Sequence, residues 1–109
     1  KKEVNFDDFM SMDIRIGTIL RAEKVEKSNK LLKFLVDTGI DERVIVSGVA
    51  KHFAPEEVIG KQVIVLLNLA PRKIMGIESQ GMILLAEDHD KKLVFVTPEN
   101  KVINGSGVS

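Results

Sequence analysis

Val63-Ile64-Val65-Leu66-Leu67-Asn68-Leu69-Ala70-Pro71-Arg72-Lys73 is the stretch on which the fold turns. From Val63 to Leu69 it is a nearly continuous apolar run bounded by turn signals, which predicts a strand buried at the centre of a sheet. Pro71 then breaks the run, two adjacent cations follow, and Gly76-Ile77-Glu78-Ser79-Gln80-Gly81 leads into a second apolar segment, Met82 to Ala86. Arg72 and Lys73 therefore sit in a loop held by rigid scaffold on both sides, where binding sites tend to lie. Two neighbouring cations beside free backbone N–H groups suit a phosphate chain. A merely solvated basic turn is the bland alternative.

Working outward, Ile14 to Val25 predicts a strand with Ile14, Ile16, Thr18, Leu20 and Ala22 on one side. Gly17 inside it predicts a bulge or sharp bend, as where a strand curls around a small barrel. Leu31 to Thr38 alternates, so Leu32, Phe34 and Val36 point one way and Lys33 the other. Gly39-Ile40-Asp41-Glu42 makes a turn and Val44-Ile45-Val46 returns antiparallel. Pro55, Glu56, Glu57 and Gly60 mark the start, first turn and end of a short helix. Asn5-Phe6-Asp7-Asp8-Phe9-Met10 reads as another, capped by Asn5, with Phe6, Phe9 and Met10 as its apolar stripe. Leu93 to Val96 forms a late strand after the turn Asp88-His89-Asp90, and Pro98 stops the ladder before Val102-Ile103. Five principal strands with one helix between the third and fourth is the element order of an OB-fold, a five-stranded Greek-key barrel, here all-β with short helices and extra C-terminal strands. An SH3-like barrel or split sandwich is the runner-up.

At 109 residues the chain is one domain, 1–109, with room for one modest core. Its first residue is Lys1 rather than Met, which suggests a piece of a longer protein. It has no cysteine, which removes disulfides and thiolate chemistry and fits a reducing cytoplasm. No apolar run is long enough to span a membrane. The net charge is zero, yet Ile14 to Val36 holds six cations against two glutamates, and Lys51 to Lys73 four against two. One basic and one acidic face would follow if the fold segregates them; evenly interspersed charge is equally compatible with the count.

Catalytic chemistry finds no foothold. His52 and His89 stand far apart with no metal-ligand spacing, the serines form no nucleophile motif, and no phosphate-loop or dinucleotide fingerprint is present. Neither a metal, a cofactor nor a catalytic residue is expected in this domain. Binding fares better. With five Phe and no Trp or Tyr a stacking platform is thin. Phe34 and Phe95 occupy core-like positions, leaving Phe53 as the aromatic expected at the surface. Shape and phosphate recognition of a folded RNA fits this composition. Lys30, Lys33, Arg72 and Lys73 would release counterions, while Ser47, Asn68 and Ser79 would supply oriented hydrogen bonds.

The ordered set Asp13-Ile14-Arg15-Ile16-Gly17, Ser28-Asn29-Lys30-Leu31-Leu32, Val36-Asp37-Thr38-Gly39, Val46-Ser47-Gly48, Asn68-Leu69-Ala70-Pro71-Arg72-Lys73 and Ser79-Gln80-Gly81-Met82 resembles the tRNA-binding domain appended to aminoacyl-tRNA synthetases. The likeness runs from about Phe6 to the tail. The forms Ser-Asn-Lys-Leu-Leu and Asn-Leu-Ala-Pro-Arg-Lys are most similar to the C-terminal domain of the bacterial methionyl type. The resemblance implies an OB-fold that binds the corner of tRNA with little sequence preference and tethers it to a separate catalytic domain, itself using ATP and methionine. It adds Met82 to the RNA-binding set. It also implies a homodimer, with the N-terminal helix and C-terminal strands as interface: Phe6, Phe9, Met10, Val94 and Val96. Two positions depart from the family's frequent choice, Gln80 where Glu is common and Asn29 where Asp is. The competing function is a freestanding secretion-type chaperone on the same fold that binds unfolded peptides in an apolar groove.

Overall fold

The longest strand, β1 (Ile14–Lys24), organises the molecule by pairing twice. The computed structural model describes all residues, 1–109. The first half of β1 runs antiparallel to β4 (Gln62–Leu66) and its second half to β2 (Leu32–Asp37). β2 in turn pairs residue for residue with β3 (Glu42–Ser47), and β7 (Met82–Ile83) lies on the far side of β4. The sheet order is thus β3-β2-β1-β4-β7, all antiparallel.

Curling this sheet brings β3 back toward the segment before β7. No ladder closes the gap; one backbone bond and two side-chain bonds do it. The Gln80 N–H donates to Val44 O at 2.8 Å and the Val44 N–H to Gln80 Oε1 at 3.2 Å, while the Val46 N–H donates to Ser79 Oγ at 3.0 Å. The result is a nearly closed five-stranded barrel of OB type. Alternation fills its interior: Leu32, Phe34 and Val36 from β2 meet Ile19, Ile45, Val63, Val65, Leu67 and Ile83 in one cluster, with Val58 as its plug. Val58 belongs to the short helix α2 (Pro55–Val58), whose first turn is held by the Glu57 carboxylate accepting the Ala54 N–H at 2.6 Å.

Three expectations shift. The bulge in β1 falls at Leu20, because Ile19 pairs with Val36 and Arg21 with Leu35. That extra residue reverses the phase, so Gly17 and Ile19 share the inner face with Ala22, and Ile14, Ile16 and Thr18 take the other. Gly17 serves close approach instead: a Cβ there would meet Asp37 O at 2.8 Å and Val36 Cγ1 at 2.9 Å, where β2 crosses over the curled strand. The central strand ends at Leu66 and is buried on alternate residues only. The segment Met82 to Ala86 breaks at Leu84 into β7 and β8 (Leu85–Glu87), and β8 pairs with β9 (Leu93–Phe95) as a separate hairpin. Val102 and Ile103 form no strand; the tail beyond them runs along β1, where Ile16 N–H donates to Ser106 O and Val108 N–H to Ile14 O, both at 2.9 Å.

Candidate nucleic-acid interface

The loop between β4 and β7 folds into a hairpin, β5 (Arg72–Ile74) and β6 (Ile77–Ser79). Its two-residue turn, Met75-Gly76, has both φ angles positive (53° and 80°), the mirror-type turn whose twist matches a right-handed hairpin. Glycine adopts that conformation freely; Met75 does so at a cost of about 1 kcal/mol. Ser79 anchors the base of the hairpin to β3 through the Val46 N–H. Held in this way, the hairpin walls a groove of about 340 Å³. Arg72, Ser47 and Met82 line it beside an apolar floor that includes Leu69, Ile83 and Leu85.

Four of the eight residues expected to meet RNA thus converge on one groove: Ser47, Arg72, Ser79 and Met82. Arg72 is exposed and makes no ion pair with any carboxylate of the chain. Ser47 ends β3, its hydroxyl without a partner in the chain, and Met82 is 41 % exposed. Lys30 lies at the same end of the barrel. Its carbonyl accepts the Ala50 N–H at 2.9 Å, two residues beyond Gly48 of the groove wall, and its side chain is exposed.

The remaining assignments divide. Arg72 and Lys73 point to opposite faces of the hairpin, as successive residues of a strand do, and Lys73 lies across from Glu78 on the side away from the groove. Lys33 does face outward from β2 as its alternation required, but its ammonium is paired with Glu23 at 3.3 Å. Ser79 is only 4 % exposed; its hydroxyl accepts from Val46 N–H and donates to Gly81 O, so it builds the wall and its one proton is already committed inside it. Asn68, though exposed, is also engaged within the chain. Its Oδ1 accepts the Asp13 N–H at 2.8 Å and its Nδ2 donates to Ser11 O at 2.7 Å, tying α1 (Phe6–Met10) and the start of β1 to the end of β4.

Phe53, expected at the surface, packs its ring on Phe95 at 4.6 Å, and Phe95 meets Phe34 edge-on at 6.4 Å. All barrel aromatics are therefore used by the core, and none lines the groove. The apolar floor escaped the sequence reading because Leu69, Ile83 and Leu85 look like ordinary core residues. Only the fold reveals that they surround a concavity. No group of three or more His, Cys, Asp or Glu is placed to hold a metal. Away from the groove, the guanidinium of Arg15 is held above its ordinary value chiefly by its 2.8 Å hydrogen bond to Asp13.

Comparison with known proteins agrees with this geometry. Residues 14–107 match the family model of the tRNA binding domain. The methionine–tRNA ligase of Flavobacterium johnsoniae is 60 % identical over 109 residues, all of this chain but 15 % of that protein. That of Cytophaga hutchinsonii is 61 % identical over 106 residues, 97 % of this chain and 15 % of the ligase. The chain thus spans about 15 % of the length of these curated relatives, matching their C-terminal part. Among solved structures, a MetRS-related protein from Pyrococcus horikoshii superposes with a TM-score of 0.93 at 38 % identity, covering the whole of both chains. The chaperone CsaA from Bacillus anthracis superposes at 0.89 and 27 %, over 99 % of this chain and all of that one. A family match over residues 14–107, most of the chain, places the protein in the tRNA binding domain family.

Proposed function

We propose that this domain is the non-catalytic tRNA-holding module of a methionine–tRNA ligase, gripping folded tRNA by its phosphates and delivering it to a catalytic domain elsewhere in the same protein. The carrying observation is the groove itself, with Arg72 unpaired at its wall, Ser47 with a free hydroxyl and no aromatic ring for base stacking, and with Lys30 exposed at the same end of the barrel. Such a surface reads charge and shape rather than base sequence. A weak site of this kind is useful when tethered, because it raises the local concentration of tRNA at the catalytic domain without adding catalytic contacts. The whole ligase would consume ATP and methionine and work in the cytoplasm. No helix of this chain is long and apolar enough to cross a membrane.

The domain works as a homodimer in this reading. Helix α1 buries no residue: Phe6 is 72 % exposed, Met10 54 % and Phe9 38 %. Val94 and Val96 are likewise exposed at the β8–β9 hairpin. An apolar stripe and a pair of exposed valines on so small a chain are surfaces that a second copy would cover.

The test is tRNA affinity as a function of salt, measured with unfractionated tRNA. Steep loss of affinity with salt, shallower after replacing Arg72 and Lys73 together by Ala, supports the proposal. The apolar groove floor and the likeness to CsaA favour a second reading, peptide binding by a chaperone. Salt-insensitive capture of an unfolded peptide, with no tRNA binding at low salt, would select it.

A further inference from the structure

Among the bonds that fasten the C-terminal tail to the barrel, three converge on one amide side chain. Asn104 Oδ1 accepts from Thr18 Oγ1 at 2.7 Å and from Gln62 Nε2 at 3.1 Å, and its Nδ2 donates to Asp37 Oδ2 at 3.2 Å. A carboxylate can only accept, so the amide orientation is fixed by its partners. The next residue is Gly105, with φ +92°, and its N–H donates to Ile16 O at 2.7 Å. Asn-Gly is the sequence most prone to self-deamidation, because glycine lacks the Cβ that shields the attacking nitrogen.

We propose that Asn104-Gly105 is a latent modification site, silent while the tail is latched along β1 and reactive once it lifts. In the reaction the Gly105 nitrogen bonds to Asn104 Cγ and the Cγ–Nδ2 bond breaks. Nδ2 leaves as ammonia, taking up the proton from the Gly105 N–H. Water then opens the cyclic imide at either carbonyl, to aspartate or isoaspartate. No oxidant or reductant is needed. In the latched state both reacting groups are occupied: the nucleophile is bonded to Ile16 and the leaving nitrogen to Asp37. After reaction the latch cannot reform. The donor to Asp37 is replaced by a second carboxylate facing the first, and like charges at that range repel. Release is thereby made permanent, leaving the edge groups of Ile14 and Ile16 without their tail partners.

The experiment is incubation of the folded chain at mildly alkaline pH, with mass-spectrometric mapping of Asn104 against the free peptide of residues 102–109. Expected is a rate in the folded chain lower by about tenfold or more, since reaction waits on local opening. Thr18→Val, which removes one latch bond, should raise that rate severalfold. The Asn104→Asp variant should speed hydrogen exchange at the Gly105 and Val108 amides while leaving Val36 and Val63 unchanged. If Thr18→Val misfolds, the exchange pattern of the Asn104→Asp variant alone decides. Equal rates in chain and peptide, a rate indifferent to Thr18→Val, or unaltered tail exchange in Asn104→Asp would each overturn the proposal.

Discussion

Ser79→Ala separates the fold from the binding site, because the sequence motif and the structure assign that residue opposite roles. Its hydroxyl is the acceptor for Val46 N–H, inside a residue only 4 % exposed, at the point where β3 meets the hairpin. Alanine leaves that N–H buried with nothing to bond, at a cost of about 1–3 kcal/mol. For a domain near this size each kcal/mol moves Tm by roughly 4–8 °C, so the midpoint should fall by about 10 °C. Thermal unfolding followed by far-ultraviolet circular dichroism, without ligand, reads this directly. Hydrogen exchange adds a local check: the Gln80 amide, bonded to Val44 O beside the lost bond, should lose protection first. At temperatures where the variant is folded, the dependence of tRNA affinity on salt should keep its slope. An unchanged Tm together with a shallower salt slope would refute the reasoning and return Ser79 to the binding surface.

Arg72→Ala should reduce the salt slope by roughly 0.7 to 0.9, the loss of one phosphate contact, and Lys73→Ala by less, as read from paired titrations. Equal effects from both would mean that the hairpin does not present them on opposite faces. Phe9→Asp should shift the chain from dimer to monomer in sedimentation equilibrium, and an unchanged mass would exclude α1 from the interface. Asn68→Ala should cost about 1–2 kcal/mol in denaturant unfolding, since two backbone groups lose their partner while the tRNA salt slope stays. Asp41 is held below its ordinary 3.8, first by the Thr38 hydroxyl and then by Arg43. A lowered carboxylate contributes stability that is complete above the unfolded value and lost as pH falls through the folded one. Asp41→Asn should therefore flatten the acid limb of the stability curve below about pH 4, leave its shape near neutrality alone, and show this in acid titration of unfolding.

How much of the barrel could be read beforehand follows from which forces are local. Alternation in Leu32-Lys33-Phe34-Leu35-Val36 is written in consecutive residues, and β2 and β3 appear where it places them. The Asn5 cap is equally local, its Oδ1 accepting the Asp8 N–H three residues on at 2.7 Å. What failed depended on partners distant in the chain. The bulge settles at Leu20 because β1 must satisfy β4 and β2 in turn, and no window around Gly17 contains either strand. Phe53 is half-buried because Phe95, 42 residues away, offered its ring.

The site divides along the same line, and the division explains why a motif is a poor guide to contacts. Asn68, Arg72, Ser79 and Met82 belong to one ordered set, yet Asn68 ties α1 and β1 to the end of β4, Ser79 braces the groove wall, and Arg72 and Met82 line the groove. A sequence motif gathers every residue that the site requires, whether it touches the ligand or keeps the wall upright. Residue type does not distinguish them, since a serine hydroxyl can serve a phosphate or a backbone N–H equally well. Burial does. Ser79 is enclosed and bonded on both sides, whereas Ser47, with the same side chain at the rim of the same groove, has its hydroxyl free. The contrast between these two serines can be measured: alanine at Ser47 should weaken tRNA binding with Tm preserved, and alanine at Ser79 should do the reverse.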